Sequence, residues 1–288
     1  MTNVRGAISA ERVANGLRQL GLSQGDVVLF HSDLKRLASP RELVKLPNCG
    51  ADVVIDGFLQ AVGPDGLVIV PTLSATFADR KGPARYAFDP DETPSRVGSI
   101  TEVFRRRPET KRSKHPTHSL AAIGRRAAAF AADHEKGSTF DIRGPYRRYY
   151  DWDGWICFFG TDMRTCTTLH AVEDWMDLPY MMEAYASVKG PDGQPQKVKV
   201  TKSPGGPRDF YRADSKVQQY LESKEFIRRG TIGNAAVQLM RARHLVDYTW
   251  QGIIDDPCLL LRTDPDADDW SKQMGQATTQ YVRARFGS

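Results

Sequence analysis

"ADVVIDGFLQAVGPDGLVIVPT", residues 51–72, holds an amphipathic helix, a turn and a buried strand in one unbroken run. The helical segment "ADVVIDGFLQAVG" leads through "GPDG" into the apolar "LVIVPT", the strand–helix alternation of an α/β chain. Upstream, a helix from about Ser9 to Leu20 precedes "DVVLFHS", a short β-branched strand reaching His31. Downstream come a Pro- and Gly-rich loop (Phe77 to Pro94), a helix in "VGSITEVFRRR", a strand in "HSLAAIG", an alanine-rich helix and the strand "WICFFG". Helices alternating with mostly buried strands argue for an α/β sheet covered on both faces.

The second half changes character. "MMEAYASVKGPDGQPQKVKVTK" reads as a hairpin around a Gly-Asp-Gly turn region, followed by a helix near Ser215 to Lys224. "IGNAAVQLMRARHLVDYTWQGIID" reads as strongly helical throughout, and the acidic "DPDADDW" opens a final helix, its acids placed for the N-terminal dipole. No internal repeat or long linker divides the chain, so residues 1–288 are expected to form one domain.

Composition excludes several classes. The hydrophobic content of 40% and charged content of 26% are those of an ordinary globular protein. No run approaches the roughly 18 apolar residues of a membrane span, and the polar amphipathic N-terminus has no signal-peptide core. A cytoplasmic location without membrane partners is therefore expected. The four cysteines form no CxxC pair, which supports neither a disulfide framework nor a zinc knuckle. The net charge of +5 permits an anionic partner. The basic clusters (Arg105-Arg106-Arg107, Lys111-Arg112-Lys114, Arg147-Arg148) are scattered and form neither a basic stripe with interleaved aromatics nor a known module, so a phosphorylated small molecule fits better than nucleic acid. Nothing points to an oligomeric state.

Three constellations can carry chemistry. In "TTLHAVED", His170 and Glu173 stand at i and i+3 of a helix and can touch. A histidine held by a carboxylate is a general base of fixed tautomer. The same spacing also occurs in helices as a histidine beside a surface acid. Its position just after the strand "WICFFG" favours the catalytic reading, because α/β folds build sites at strand C-termini. In "RSKHPTHS", Arg112, Ser113, Lys114 and His115 combine charge and hydroxyl donors suited to phosphate. His115 and His118 lack a local carboxylate or thiolate partner, so no metal is expected. In "FHSDL", the strand-end turn His31, Ser32, Asp33, Leu34 can offer backbone N–H groups to an anion. No G-x-S-x-G elbow, GxxxxGK[ST] loop or GxGxxG turn is present.

Taken in order, "LGLSQGDVVLFHSDL", "GADVVIDGFLQAVGPDGLVIVPT", "FDPDETPSRVGSITEVFRRRP", "KRSKHPTHSLAAIG" and "TCTTLHAVE" resemble the aminoglycoside 3-N-acetyltransferase family. "GPRDFY" and "IGNAAVQLMRARHLVDY" extend the resemblance from about Arg12 to Leu260. It implies the three-layer α/β/α sandwich of that family with a mixed central sheet, distinct from GNAT enzymes. It implies acetyl-CoA as donor and a small-molecule amine as acceptor, most simply the 3-amino group of a 2-deoxystreptamine aminoglycoside. His170 would be the general base, Glu173 its orienting acid, and Thr167 a donor to the oxyanion or the thiolate. His31, Ser32, Asp33, Leu34, Arg112, Ser113, Lys114 and His115 would line the CoA path. Thr72, Asp174, Asp177 and Asp209 would lie on the acceptor side, as would the hairpin excursion of about residues 180–215. The alternatives are the same chemistry on a natural-product or phosphonate-type amine, and a non-catalytic CoA-binding protein. Three departures touch access more than the base: Cys166 where the family has asparagine, Gly144-Pro145 for its Ser-Pro, and the insertion "KRLASPRELVKLPNC" after the first strand.

Overall fold

A computed structural model describes residues 8–74, 76–78, 87–203 and 208–287. Residues 79–86 of the Pro- and Gly-rich loop and Gly206-Pro207 of "GPRDFY" lie outside the described residues. The strands are β1 (Val27–Ser32), β2 (Leu67–Pro71), β3 (Phe77–Ala78), β4 (Lys111–Arg112) and β5 (Leu120–Gly124). They continue with β6 (Trp155–Phe159), β7 (Met182–Lys189), β8 (Pro195–Lys202), β9 (Arg228–Ile232) and β10 (Ala235–Arg241). Seven form the central sheet in the order β4-β5-β2-β1-β6-β10-β9. β2, β1 and β6 run parallel, with Leu29 of β1 paired to Ile69 on one side and Ile156 on the other. The flanking pairs are antiparallel, so the sheet is mixed.

The helices are α1 (Ala10–Gln19), α2 (Pro40–Leu43), α3 (Ala51–Val62), α4 (Ser99–Arg105) and α5 (Ala127–Ala131). After them come α6 (Pro145–Asp151), α7 (Thr168–Trp175), α8 (Lys216–Glu222), α9 (Ala242–Asp255) and α10 (Asp269–Phe286). Because side chains alternate across a strand, Val28 and Phe30 face one core with α1, α3 and α4, while Val27 and Leu29 face the other with α5 to α10. The result is the expected three-layer α/β/α sandwich. On the first face, Phe30 stacks on Phe58 of α3 with ring centroids 4.1 Å apart. Gly57 lets α1 approach, since a Cβ there would stand 2.5 Å from Val13.

The helical reading of "IGNAAVQLMR" is corrected. Residues 228–241 form the hairpin β9–β10, and helix begins only at Ala242. Ala235, Val237 and Leu239 are buried at a period of two, and Gly233 turns the chain with φ +60. Alanine, leucine, methionine and glutamine favour helix in isolation, but pairing with β6 overrides that preference. The insertion after β1 is also built into the core. Leu37 and Leu43 are buried, α2 carries a Ser39–Glu42 capping box, and the Leu37 carbonyl accepts the N–H of Asn234. The excursion at 182–202 is the hairpin β7–β8, which pairs with β3 in a separate three-stranded sheet.

Candidate active site

The C-terminal ends of parallel β1 and β6 meet at one point. The N–H of Asp33 donates to the Phe159 carbonyl at 2.9 Å, and Gly160 turns the chain with φ +69. A Cβ on Gly160 would lie 2.7 Å from the Asp33 carbonyl oxygen, so only glycine lets the two strand ends close. Gly160→Ala should therefore cost at least about 1–2 kcal/mol from the left-handed backbone alone. A urea midpoint equal to wild type would contradict that reading.

Beyond Gly160, a 3-10 turn (Met163–Thr165) capped by Asp162 delivers Thr167 to the start of α7. The Thr167 side chain caps no backbone N–H, which leaves its hydroxyl uncommitted to the helix. One turn later His170 Nδ1 lies 2.6 Å from Glu173 Oε2, with Glu173 fully buried. The helix stops where Asp177 adopts φ +55, and the chain folds back so that the Tyr180 hydroxyl donates to Glu173 Oε1 at 3.0 Å. The fully buried Arg208 places Nη1 3.4 Å from the same oxygen. Burial alone would raise the Glu173 pKa, yet Arg208, His170 and Tyr180 together hold it below the usual value, so it is an anion. The outer nitrogen of the imidazole, Nε2, faces the Tyr211 hydroxyl at 3.3 Å. Phe210 and Phe140 wall the ring, at centroid distances of 5.2 and 6.3 Å.

This arrangement sets Nδ1 against the carboxylate and turns Nε2 to a half-exposed tyrosine, the placement a histidine base requires. Cys166 is buried, and burial pushes its thiol up to about 12, so it packs as an inert side chain. Asp174, one turn beyond His170, accepts from the Ser138 hydroxyl, and burial raises its pKa to about 6.

Other expected residues are engaged by neighbouring groups. Arg112 directs Nη1 to the carbonyls of Pro90 and Thr93, Nη2 to the Thr72 carbonyl at 2.9 Å, and Nε to Ser119 Oγ at 3.1 Å. Its fork so engaged, it braces the loop while also lining the groove that Lys114 faces. Ser113 is fully buried, accepting from Leu120 N–H and bonding His134 Nδ1 at 2.8 Å. His115 is buried with Nδ1 accepting the N–H groups of Thr117 and His118. Lys114 alone of that quartet is exposed, in a groove of about 750 Å³ that Lys111 and Arg105 also line. His31 lies in β1, stacked on Phe158 at 5.4 Å and held neutral, since burial lowers its pKa to about 3. In the turn beyond Ser32, the N–H of Lys35 is taken by Asp33 Oδ1 and that of Arg36 by the Asp33 carbonyl.

Three residues expected on the acceptor side are placed as follows. Thr72 is fully buried on Ser119, Asp209 is buried and accepts the Lys216 N–H, and Asp177 is exposed in an ion pair with Arg285 at 3.1 Å. Sequence reasoning missed Tyr180, Arg208, Phe210 and Tyr211. The available signal was "GPRDFY" itself, where an arginine stands among aromatics with no local acid at helical spacing. Among the described residues, no group of three or more His, Cys, Asp or Glu is arranged to hold a metal, and no helix is long and apolar enough to cross a membrane.

The sequence matches the family described as aminoglycoside 3-N-acetyltransferase over residues 29–252. Aminoglycoside N(3)-acetyltransferase VII of Streptomyces paromomycinus is 28% identical, over 84% of this chain and 90% of that one. The solved apoenzyme of aminoglycoside acetyltransferase AAC(3)-IVa superimposes with a TM-score of 0.78 at 24% identity, over 97% of this chain and all of that one. A binary complex of AAC-IIIb with CoASH superimposes with a TM-score of 0.75 at 24% identity, over 86% and 96% of the two chains.

Proposed function

Because the chain belongs to the aminoglycoside 3-N-acetyltransferase family of acyltransferases, we propose that it acetylates a primary amine of an aminoglycoside, the 3-amino group of its 2-deoxystreptamine ring, using acetyl-CoA. One observation carries the catalytic part: a histidine with Nδ1 fixed on a fully buried carboxylate and Nε2 turned to the site. An alkylamine with a pKa near about 10 is protonated at neutral pH and cannot attack until a proton leaves. His170 Nε2 takes that proton as nitrogen adds to the thioester carbonyl. The tetrahedral oxyanion draws on the Thr167 hydroxyl, the C–S bond breaks, and the proton on Nε2 passes to the departing thiolate. The second ammonium proton leaves the nitrogen for solvent as the amide forms, so the products are the acetamide, CoA thiol and one released proton.

Asp174 suits a cationic acceptor, being half-buried, on the same helix and ionised above about pH 6. The turn Ser32–Leu34 and the exposed Lys114 are assigned to the CoA path, with Arg112 and Lys111 lining the same groove as Lys114. The CoASH complex of AAC-IIIb supports the donor, and the name of the Streptomyces relative supports the acceptor class. We read residues 1–288 as one acetyltransferase unit whose β7–β8 hairpin lies on the acceptor side. A cytoplasmic enzyme accords with four free cysteines.

Thiol release from acetyl-CoA, followed with a panel of aminoglycosides and unrelated amines, tests the proposal. Release that depends on an aminoglycoside supports it. Release without any acceptor, or CoA binding without turnover on any amine, contradicts it.

Glu173→Gln should lower the rate by less than loss of His170 does, because a proton acceptor remains. It should also lower stability by about 3–5 kcal/mol, since it leaves Arg208 charged and unpaired in the interior. Urea unfolding with intact stability would show that the pair is not buried together in solution.

A further inference from the structure

The sole full charges touching the dyad within its buried shell, among the described residues, belong to Glu173 itself and Arg208. From these contacts we propose that Arg208 is a positioning residue that sets the charge state of the dyad, keeping Glu173 anionic without a proton on His170 Nε2. The inference rests on reading His170 as the base.

Its geometry is specific. Arg208 has no exposed surface, its guanidinium lies 4.3 Å from the centre of the Tyr180 ring, and its Nη2 donates to Ser203 Oγ at 2.6 Å. The backbone is fixed too: Arg208 bridges Leu261, and the N–H of Asp209 donates to the Leu260 carbonyl. Glu173 thus receives His170 on Oε2, and Tyr180 and Arg208 on Oε1.

Each group facing the dyad has a defined charge. Tyr180 is neutral, because burial and then Glu173 push its pKa well above the ordinary value. Tyr211, facing Nε2, is neutral for the same reasons. His118, across Phe140 from His170, is held neutral first of all by burial. Asp174 neighbours Glu173 from the half-buried side and titrates near 6. Arginine keeps its proton at any pH the enzyme meets. With Arg208 in place, the buried carboxylate is compensated. Without it, the uncompensated buried carboxylate draws a proton onto Nε2, whose imidazolium it pairs with. That occupies the nitrogen the reaction needs vacant.

The experiment compares the pH dependence of kcat/KM in wild type, Arg208→Met and Arg208→Lys, alongside an imidazole NMR titration of His170 identified by its loss in His170→Ala. The expected result for Arg208→Met is an acidic limb and a His170 titration both moved up by about one to three pH units. Activity should recover at high pH, and Arg208→Lys should leave the limb in place. An Arg208→Met profile lowered evenly at all pH values, with His170 titrating as in wild type, would overturn the proposal. If His170→Ala kept full activity, the functional reading would fail, while the NMR titration would still decide the role of Arg208. If Arg208→Met did not fold, wild type decides by the carboxyl carbon shift of Glu173. Ionisation persisting below the ordinary glutamate pKa is expected, and a protonated carboxyl at neutral pH would overturn the proposal.

Discussion

Replacing His170 by alanine should lower kcat/KM for amine acetylation by about 10²–10⁴-fold near neutral pH, the range that a positioned base supplies. The loss arises because an ammonium acceptor must shed its proton before attack, and nothing else on α7 can take it from the position of Nε2. Thr167 is a hydroxyl, Glu173 is sealed beneath the ring, and Asp174 stands a turn away. The residual rate should rise with pH as free amine becomes available from solution, so the mutant profile climbs where that of wild type is flat. CoA binding should be unchanged, since the imidazole meets the reacting amine rather than the phosphates. Steady-state kinetics across pH 6–9 with calorimetry of CoA check both halves. Full activity in the mutant would remove His170 from the mechanism.

The second large effect is on stability in acid. His31, His115, His118 and His134 are buried or nearly so, and burial is the first cause lowering each of them: His31 and His118 to about 3, His134 to about 4, and His115 well below its usual value. Their hydrogen bonds suit neutral rings, as when His134 Nε2 meets the Thr139 carbonyl and Nδ1 meets Ser113. In the unfolded chain each titrates near the ordinary histidine value of about 6.5. Below that pH the unfolded state binds more protons than the native state, so stability falls as pH falls. The contribution is complete above about pH 6.5 and declines toward the folded values near 3 to 4. Each histidine adds up to about 1.4 kcal/mol per pH unit, and four reach about 5. Against a stability of roughly 5–15 kcal/mol, cooperative unfolding is expected near pH 5. Urea titrations between pH 7.5 and 4.5 measure the slope, and His118→Gln should reduce it by about one proton. A stability that stays flat from pH 6.5 to 5 would mean that these rings are not held neutral.

How much the sequence disclosed depended on how far apart the interacting residues lie. The sandwich was readable because "DVVLFHS", "LVIVPT" and "WICFFG" are short apolar runs between amphipathic helices. Residues 232–241 were misread because Leu239 and Met240 are both buried, one on each face of the sheet. That double burial blurs the period of two, and helix-forming residue types did the rest. The turn at Gly233-Asn234 was the overlooked signal.

In the site, His170 and Glu173 were legible since helical spacing alone brings them together. Tyr180 reaches Glu173 only through the reversal at Asp177, and Arg208 arrives after the β7–β8 excursion. No local pattern encodes either contact. At Arg112 and Ser113 the residue types suggest phosphate, while the tertiary structure also engages them with carbonyls of neighbouring loops and with His134, contacts that no local pattern encodes. Residue type names what a side chain can do, and tertiary contacts decide whether it is free to do it.

The most direct test of the central claim is the structure of the product formed from acetyl-CoA and a single 2-deoxystreptamine aminoglycoside. Mass spectrometry and NMR should show one acetyl group on the 3-amino nitrogen, with one CoA thiol released per acetamide formed. An unmodified aminoglycoside after prolonged incubation, with acetyl-CoA intact or merely hydrolysed, would contradict it.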